Sequence, residues 1–149
     1  MKILVLVDGS MWGQKAAMHA VKLAKRKDGE ITLLSVLDIR EAKAMAFNFC
    51  MQSGMCEEIK NHEEKIWRDM KKSLNLAMAD LVSHLSSENV VCTPRIVEGN
   101  TREEIVREVE TGGYGLVVMG AYGKNAKSRV GSLPGDIAGE IPVPLLIVH

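Results

Sequence analysis

The sequence predicts a single α/β domain over residues 1–149, a parallel β-sheet with helices on both faces. Two observations predict it. Residues 2–7 read Lys-Ile-Leu-Val-Leu-Val, a nearly continuous β-branched and leucine run without the alternation of a half-exposed strand. Such runs belong to strands covered on both sides. Runs of this kind then alternate along the chain with stretches of helical periodicity, which is the pattern of βαβ units.

The first strand stops at Asp8-Gly9-Ser10, and Ser10 stands where it can cap the following helix. Over 11–27, Ala16, Ala17, Ala20, Val21 and Ala24 share one helix face, with Lys22, Lys25 and Lys27 outside it. Gly29 is the expected stop. Residues 30–37 give the second strand. Residues 38–54, rich in Ala, Met and Phe, fit either a helix or a mobile flap. From 57 to about 86, Ile59, Ile66, Met70, Leu74, Ala77, Leu81 and Leu85 mark a long amphipathic helix. The third strand is expected at 90–97. Thr101 and Glu104 have the spacing of a capping box and open a helix through Val109, broken at Gly112-Gly113. Residues 116–119 and 145–148 supply the last two strands. A short helix starts near Leu133 between them, and Pro142 and Pro144 forbid its continuation.

Composition narrows the functional classes. Apolar residues make up 46% and charged residues 26%, as in folded globular domains and unlike disordered chains. Lys+Arg and Asp+Glu both number 19, so no basic excess marks a nucleic-acid partner. No apolar stretch reaches the length of a membrane span, and the run at 3–7 is too short for a signal peptide. A cytoplasmic protein without a membrane partner is expected. Cys50, Cys56 and Cys92 are an odd number and do not suggest a secreted disulfide framework.

The richest motif is Gly120-Ala-Tyr-Gly123 followed by Gly131-Ser132. Glycines at a strand end let backbone amides approach a ligand closely. A helix start just beyond them adds unpaired N–H groups, and together these make a phosphate cradle. Asp8, Val36 to Asp38 and the Gly120 loop all fall at carboxyl ends of strands, where open parallel sheets bind ligands. Lys124, Lys127 and Arg129 lie within the loop, where solvation is the usual role of basic side chains. A phosphoaspartate or Mg-dependent centre at Asp8 would need more acidic neighbours than Asp38. Residues 45–56, with five residues between Cys50 and Cys56 and His62 beyond, gather soft ligands that could serve metal binding or redox sensing, at a spacing that matches no standard metal site. Met and Cys also pack adaptably, so an apolar flap or partner surface is the favoured reading there. Trp12 and Trp67 read as packing or interface residues. Ser10, His19, His84 and His149 form no pattern for acyl transfer, and no catalytic residue is assigned.

On these residues the chain resembles the universal stress protein family over nearly its full length. The carriers are Ile3 through Ser10, Val97-Glu98-Gly99 before a capped helix, Leu116 through Gly123 with Gly131-Ser132, and Val143-Pro144-Leu-Leu-Ile-Val148. The resemblance implies an open five-stranded parallel sheet of order 3-2-1-4-5, the adenine nucleotide alpha-hydrolase-like arrangement. Nucleotide-binding members share a Gly-x2-Gly-x9-Gly-Ser/Thr loop. This chain keeps the three glycines and the serine, with seven residues rather than nine between Gly123 and Gly131. The resemblance implies ATP or AMP binding, with or without Mg or Mn. Val7 and Asp8 would lie near the adenosine, Val36 at the adenine, and Met119 and Gly120 under the sugar and phosphates. Gly123, Gly131, Ser132 and Leu133 would give N–H groups to the phosphates, with the Ser132 hydroxyl added. A homodimer paired through the edge strand 145–148 is also implied, with a stress-response or signalling role and at most slow ATP hydrolysis. The alternative is a dimeric stress protein without nucleotide, recruiting a protein partner through its dimer edge or through segment 45–56.

Overall fold

The computed structural model describes residues 1–123 and 133–149. The chain runs β1 (Lys2–Leu6), α1 (Met11–Lys27), β2 (Glu30–Leu37), α2 (Ile39–Ser53), α3 (Ile59–Leu85), a 3-10 turn at Ser86–Glu88, β3 (Cys92–Glu98), α4 (Thr101–Gly112), β4 (Leu116–Gly120), α5 (Leu133–Ala138) and β5 (Leu145–Val148). All strand pairings are parallel and the order is β3-β2-β1-β4-β5, the order expected from the sequence. The chain winds outward from β1 to β3, then returns to place β4 on the other side of β1. The strand order therefore reverses between β1 and β4.

Successive residues of the central strands feed opposite faces. On one face Ile3, Val5, Ile31, Leu33 and Val118 pack on Ala16, Ala17 and Ala20 of α1 and on Met78, Leu81 and Leu85 of α3. On the other, Leu4, Leu34, Val117 and Met119 meet Ile105 and Val109 of α4 and Ile137 of α5. The strands are thus covered on both sides, as their unbroken apolar runs require.

Residues 38–54, which the sequence leaves between helix and flap, form α2. It lies on α3 through Ala42, Ala46 and Cys50, a buried stripe at four-residue spacing. Met45, Phe47, Phe49, Met51 and Met55 stay exposed. Cys50 and Cys56 are joined in a disulfide across the α2–α3 turn, which the cysteine count did not suggest.

Several element boundaries differ from those expected. Helix α1 ends on Asp28, which takes the left-handed conformation at φ 50°, and not on Gly29. Gly29 is required for a different reason: a Cβ there would stand 2.5 Å from the Met1 carbonyl oxygen. Helix α4 is capped by Asn100, whose Oδ1 accepts the Glu103 N–H at 3.1 Å, so Thr101 is the first helical residue and not the cap. That helix continues past Val109 to Gly112, and Gly113 closes it at φ 71°. Strand β3 starts at Cys92, a half-buried residue, rather than at residue 90.

Candidate functional site

At the carboxyl ends of β1 and β4 the reversal of strand order opens a crevice. Its walls come from sequence-distant segments: Val7 and Asp8 after β1, Leu34 and Val36 of β2, Thr101 and Ile105 of α4, Met119 and Gly120 of β4 with Gly123 beyond, and Leu133 of α5. Its volume is about 110 Å³. That is below the roughly 300–1,000 Å³ of complete small-molecule pockets, so part of any larger ligand lies across the mouth.

Hydrogen bonds fix the β1 end of this crevice. The Val7 N–H donates to the Leu34 carbonyl at 2.9 Å, and the buried Ser35 hydroxyl donates to the Val7 carbonyl at 2.6 Å. The turn that follows needs Gly9 at φ 88°. Asp8 Oδ1 accepts the Ser10 N–H at 3.0 Å, the local bond by which an aspartate sets a turn. Its Oδ2 is left toward Gly123, where a Cβ would lie 3.7 Å away. Ser10 then caps α1 by accepting the Gly13 N–H.

The β4 end is shaped by α1. A Cβ on Gly120 would come within 2.8 Å of the Trp12 Cβ and carbonyl oxygen, so the close approach of α1 admits only glycine there. The Ala121 N–H donates to the Val148 carbonyl at 2.8 Å and carries the β4–β5 pairing to the rim. Tyr122, which lines the crevice, meets the Trp12 ring at 4.6 Å between centroids. The Lys15 ammonium stands 4.5 Å over the Trp12 ring. The Trp12 Nε1 is buried and has no partner among the described residues.

Asp38 sits just behind the crevice. Its carboxylate takes the Arg40 guanidinium on both oxygens, at 2.6 to 3.1 Å, and accepts the Arg40 and Thr101 N–H groups. The starts of α2 and α4 thus share one buried carboxylate. The bonds from the Arg40 side chain, helped by the two backbone amides, hold Asp38 below the usual carboxylate range against the opposing effect of burial. With both oxygens engaged, Asp38 is an anchor for two helices. Among the described residues, no group of three His, Cys, Asp or Glu is arranged to hold a metal.

Of the residues read from sequence, Val7, Asp8, Val36, Met119, Gly120, Gly123 and Leu133 converge on this crevice. Gly131 and Ser132 lie outside the described residues, as do Lys124, Lys127 and Arg129. Helix α5 has only six residues, so its contribution to a helix-end field is small. Sequence reasoning missed Leu6, Gly13, Leu34, Thr101, Ile105 and Tyr122. Thr101 and Ile105 were legible only as helix residues, since nothing local says that the start of α4 folds over β1. Tyr122 stands between the two motif glycines, and that place was its one available signal.

The whole chain, residues 1–149, matches the model of the universal stress protein family. Universal stress protein MJ0577 of Methanocaldococcus jannaschii is 26% identical over 151 residues, covering 99% of this chain and 93% of that protein. A solved structure of MJ0577 superposes with a TM-score of 0.75 at 25% identity, covering 99% and 94% of the two chains. Universal stress protein UspA of Lactobacillus plantarum superposes with a TM-score of 0.78 at 21% identity, covering 100% and 97%. A universal stress protein of Archaeoglobus fulgidus, solved in complex with dAMP, gives a TM-score of 0.64 at 14% identity over 100% and 98%. The chain belongs to the universal stress protein family.

Proposed function

We propose that this universal stress protein binds an adenine nucleotide, ATP or AMP, in the crevice between β1 and β4, as a binding module in stress response or signalling. The observation that carries the reading is the composition of the crevice. Val36, Ile105, Met119 and Leu133 offer apolar walls to a purine, and Asp8 is the carboxylate on the rim, with Oδ2 turned to Gly123. A carboxylate there suits the hydroxyls of a ribose, and Gly123 leaves room for a phosphate to approach the backbone. Gly131, Ser132 and Leu133 would continue the phosphate contacts. The dAMP complex of the Archaeoglobus fulgidus family member supports an adenine ligand on this fold. A Mg or Mn ion accompanying ATP would be held by the phosphates themselves, and the role is binding rather than turnover.

Calorimetry with AMP and with ATP tests the reading. The parent protein is expected to bind, and Gly123→Val to lose at least about tenfold in affinity by blocking the phosphate. The variant should melt as the parent does, because the added Cβ meets Asp8 Oδ2 only at ordinary contact distance, 3.7 Å. If the parent shows neither heat nor a thermal shift with either nucleotide, the crevice is not a nucleotide site.

The same reading includes a cytoplasmic homodimer. Strand β5 pairs with β4 on one side only and ends the sheet, and Ile147 on it is 38% exposed. An open apolar edge of this kind favours antiparallel pairing with the β5 of a second copy around a two-fold axis. Light scattering at micromolar concentration should return twice the chain mass.

A further inference from the structure

The cysteine pair lies outside the crevice. Cys50 belongs to the last turn of α2, and Cys56 precedes α3 by three residues. Their Cα atoms are 4.7 Å apart, within the range a disulfide spans.

The helix starts differ in how they are held. Helices α1, α2 and α4 begin on Ser10, Asp38 and Asn100, each accepting a backbone N–H through its side chain. Helix α3 begins after Glu58 with no side-chain cap and no acidic residue in its first turn. A long helix so begun leaves its first N–H groups to solvent and frays. Here the disulfide takes the place of a cap. It fastens Cys56 to the end of α2, and the Cys56 carbonyl accepts the N–H of Ile59, the first residue of α3, at 3.2 Å.

The two sulfurs also differ in access. Cys50 is buried against α3 and Cys56 is exposed, so a thiolate arriving from solvent meets the Cys56 side. The turn between them is held without the bond. Gly54, at φ 73°, donates its N–H to the Cys50 carbonyl at 2.9 Å. The Ser53 hydroxyl donates to the Phe49 carbonyl and accepts the Met55 N–H. Opening the disulfide therefore leaves both thiols within reach of each other, while the start of α3 loses its fastening. The Phe49–His62 ring contact, 4.8 Å between α2 and α3, is the first packing to feel it.

We propose that Cys50 and Cys56 form a reversible dithiol–disulfide site, closed by hydroperoxides and opened by dithiols, which sets whether the start of α3 stays fastened to the end of α2. In closing, the Cys56 thiolate attacks one peroxide oxygen. The O–O bond breaks, an alkoxide or hydroxide leaves, and Cys56 becomes a sulfenic acid. The Cys50 thiolate attacks that sulfur, the S–S bond forms, the S–O bond breaks, and hydroxide leaves to become water. Two thiols have given two electrons to one hydroperoxide, yielding one disulfide, one water and one alcohol, or two waters from hydrogen peroxide. In opening, an external thiolate attacks the Cys56 sulfur and the Cys50 thiolate leaves and is protonated. The second thiolate of the reductant then displaces Cys56, and the reductant departs as its own disulfide. Cys92 is the internal control, because burial pushes its thiol up and no second cysteine is beside it.

The test uses the full chain, oxidised or treated with dithiothreitol. Thiols counted under denaturing conditions should number one in the oxidised form and three in the reduced form, and return to one after a single equivalent of hydrogen peroxide. Hydrogen exchange over residues 57–66 should be about tenfold faster in the reduced form. Cys56→Ser, at the exposed position, should show the fast exchange with and without reductant, and Cys92→Ser should keep the full response. The proposal is overturned if peroxide does not re-form the bond, or if exchange over 57–66 is the same in both redox forms.

Discussion

The crevice and the α2–α3 hairpin both border the Asp8–Ser10 turn, but different forces hold them. The crevice is walled by side chains of the sheet and of helices docked on it, among them Leu34 and Met119, which belong to a continuous apolar cluster with Ile105 and Ile137. Helix α2 contributes to neither sheet cluster. It rests on α3 through Ala42, Ala46 and Cys50 and through the Phe49–His62 ring contact, and leaves Met45, Phe47 and Met51 largely exposed. Fixed walls suit a ligand that must be recognised. A helix pair held by small contacts and one covalent bond suits a part whose attachment changes, since little buried area has to be given up when it opens.

Substitutions can break or sharpen that contrast. The largest effect is expected at Leu34→Ala. Its side chain is 1% exposed, and its loss should remove about 2–5 kcal/mol of stability in denaturant melts. A loss under about 1 kcal/mol would mean that the crevice floor is as loosely packed as the hairpin.

Asp38→Ala comes next, because it removes the cap of α2 and the anchor shared with α4, at about 0.5–2 kcal/mol. It also carries a pH signature. The folded protein holds Asp38 below the usual carboxylate range, chiefly through Arg40. Its contribution is therefore present above the unfolded carboxylate pKa, about 4, and is lost as pH falls through the folded value. The parent should lose stability over that acid window more steeply than the variant. Equal slopes would remove Asp38 as the joint between the two regions.

Tyr114→Phe probes the crevice-side cluster from below, where the phenol donates to Glu108 at 2.6 Å. It should cost about 0.5–1.5 kcal/mol. Burial first, then the bond to Glu108, push the phenol up to about 12. The phenol then stabilises the fold fully below the unfolded tyrosine pKa of about 10, and that contribution fades as pH rises toward about 12. Ultraviolet titration should show one tyrosine resisting ionisation until the alkaline melt. The smallest effect is expected at Phe47→Ser on the outer face of α2, where the ring is 55% exposed, within about 0.5 kcal/mol. A larger loss would show that the hairpin face is covered in solution.

The sheet was legible because parallel strands leave continuous apolar runs, and residues 2–7 and 116–119 carry that pattern without help from distant residues. The strand-end residues Asp8 and Gly120 were legible for the same reason, since each punctuates a run, whereas Val36 lies within its run and was singled out by the family resemblance. Segment 38–54 was not, because α2 buries only Ala and Cys on its inner side and its large apolar residues face solvent, which scrambles the amphipathic pattern. The caps moved by one residue at Asn100 and Asp28 because asparagine and aspartate fill cap and left-handed positions about as readily as the serine, threonine or glycine that attract attention first. Thr101 and Tyr122 line the crevice through tertiary placement alone. The disulfide was hidden because two cysteines on either side of a turn look like packing residues until the turn itself is known.

Parallel strands also decide where the molecule can be gripped. Every amino end falls on the rim away from the crevice, and there the backbone closes on itself. The Met1 carbonyl accepts the Glu30 N–H, and the Met1 side chain would touch a Cβ placed on Gly115. A tether attached at Met1 therefore leaves the far mouth and the β5 margin free, whereas one attached after His149 emerges next to β5 and would obscure any self-pairing it was meant to measure.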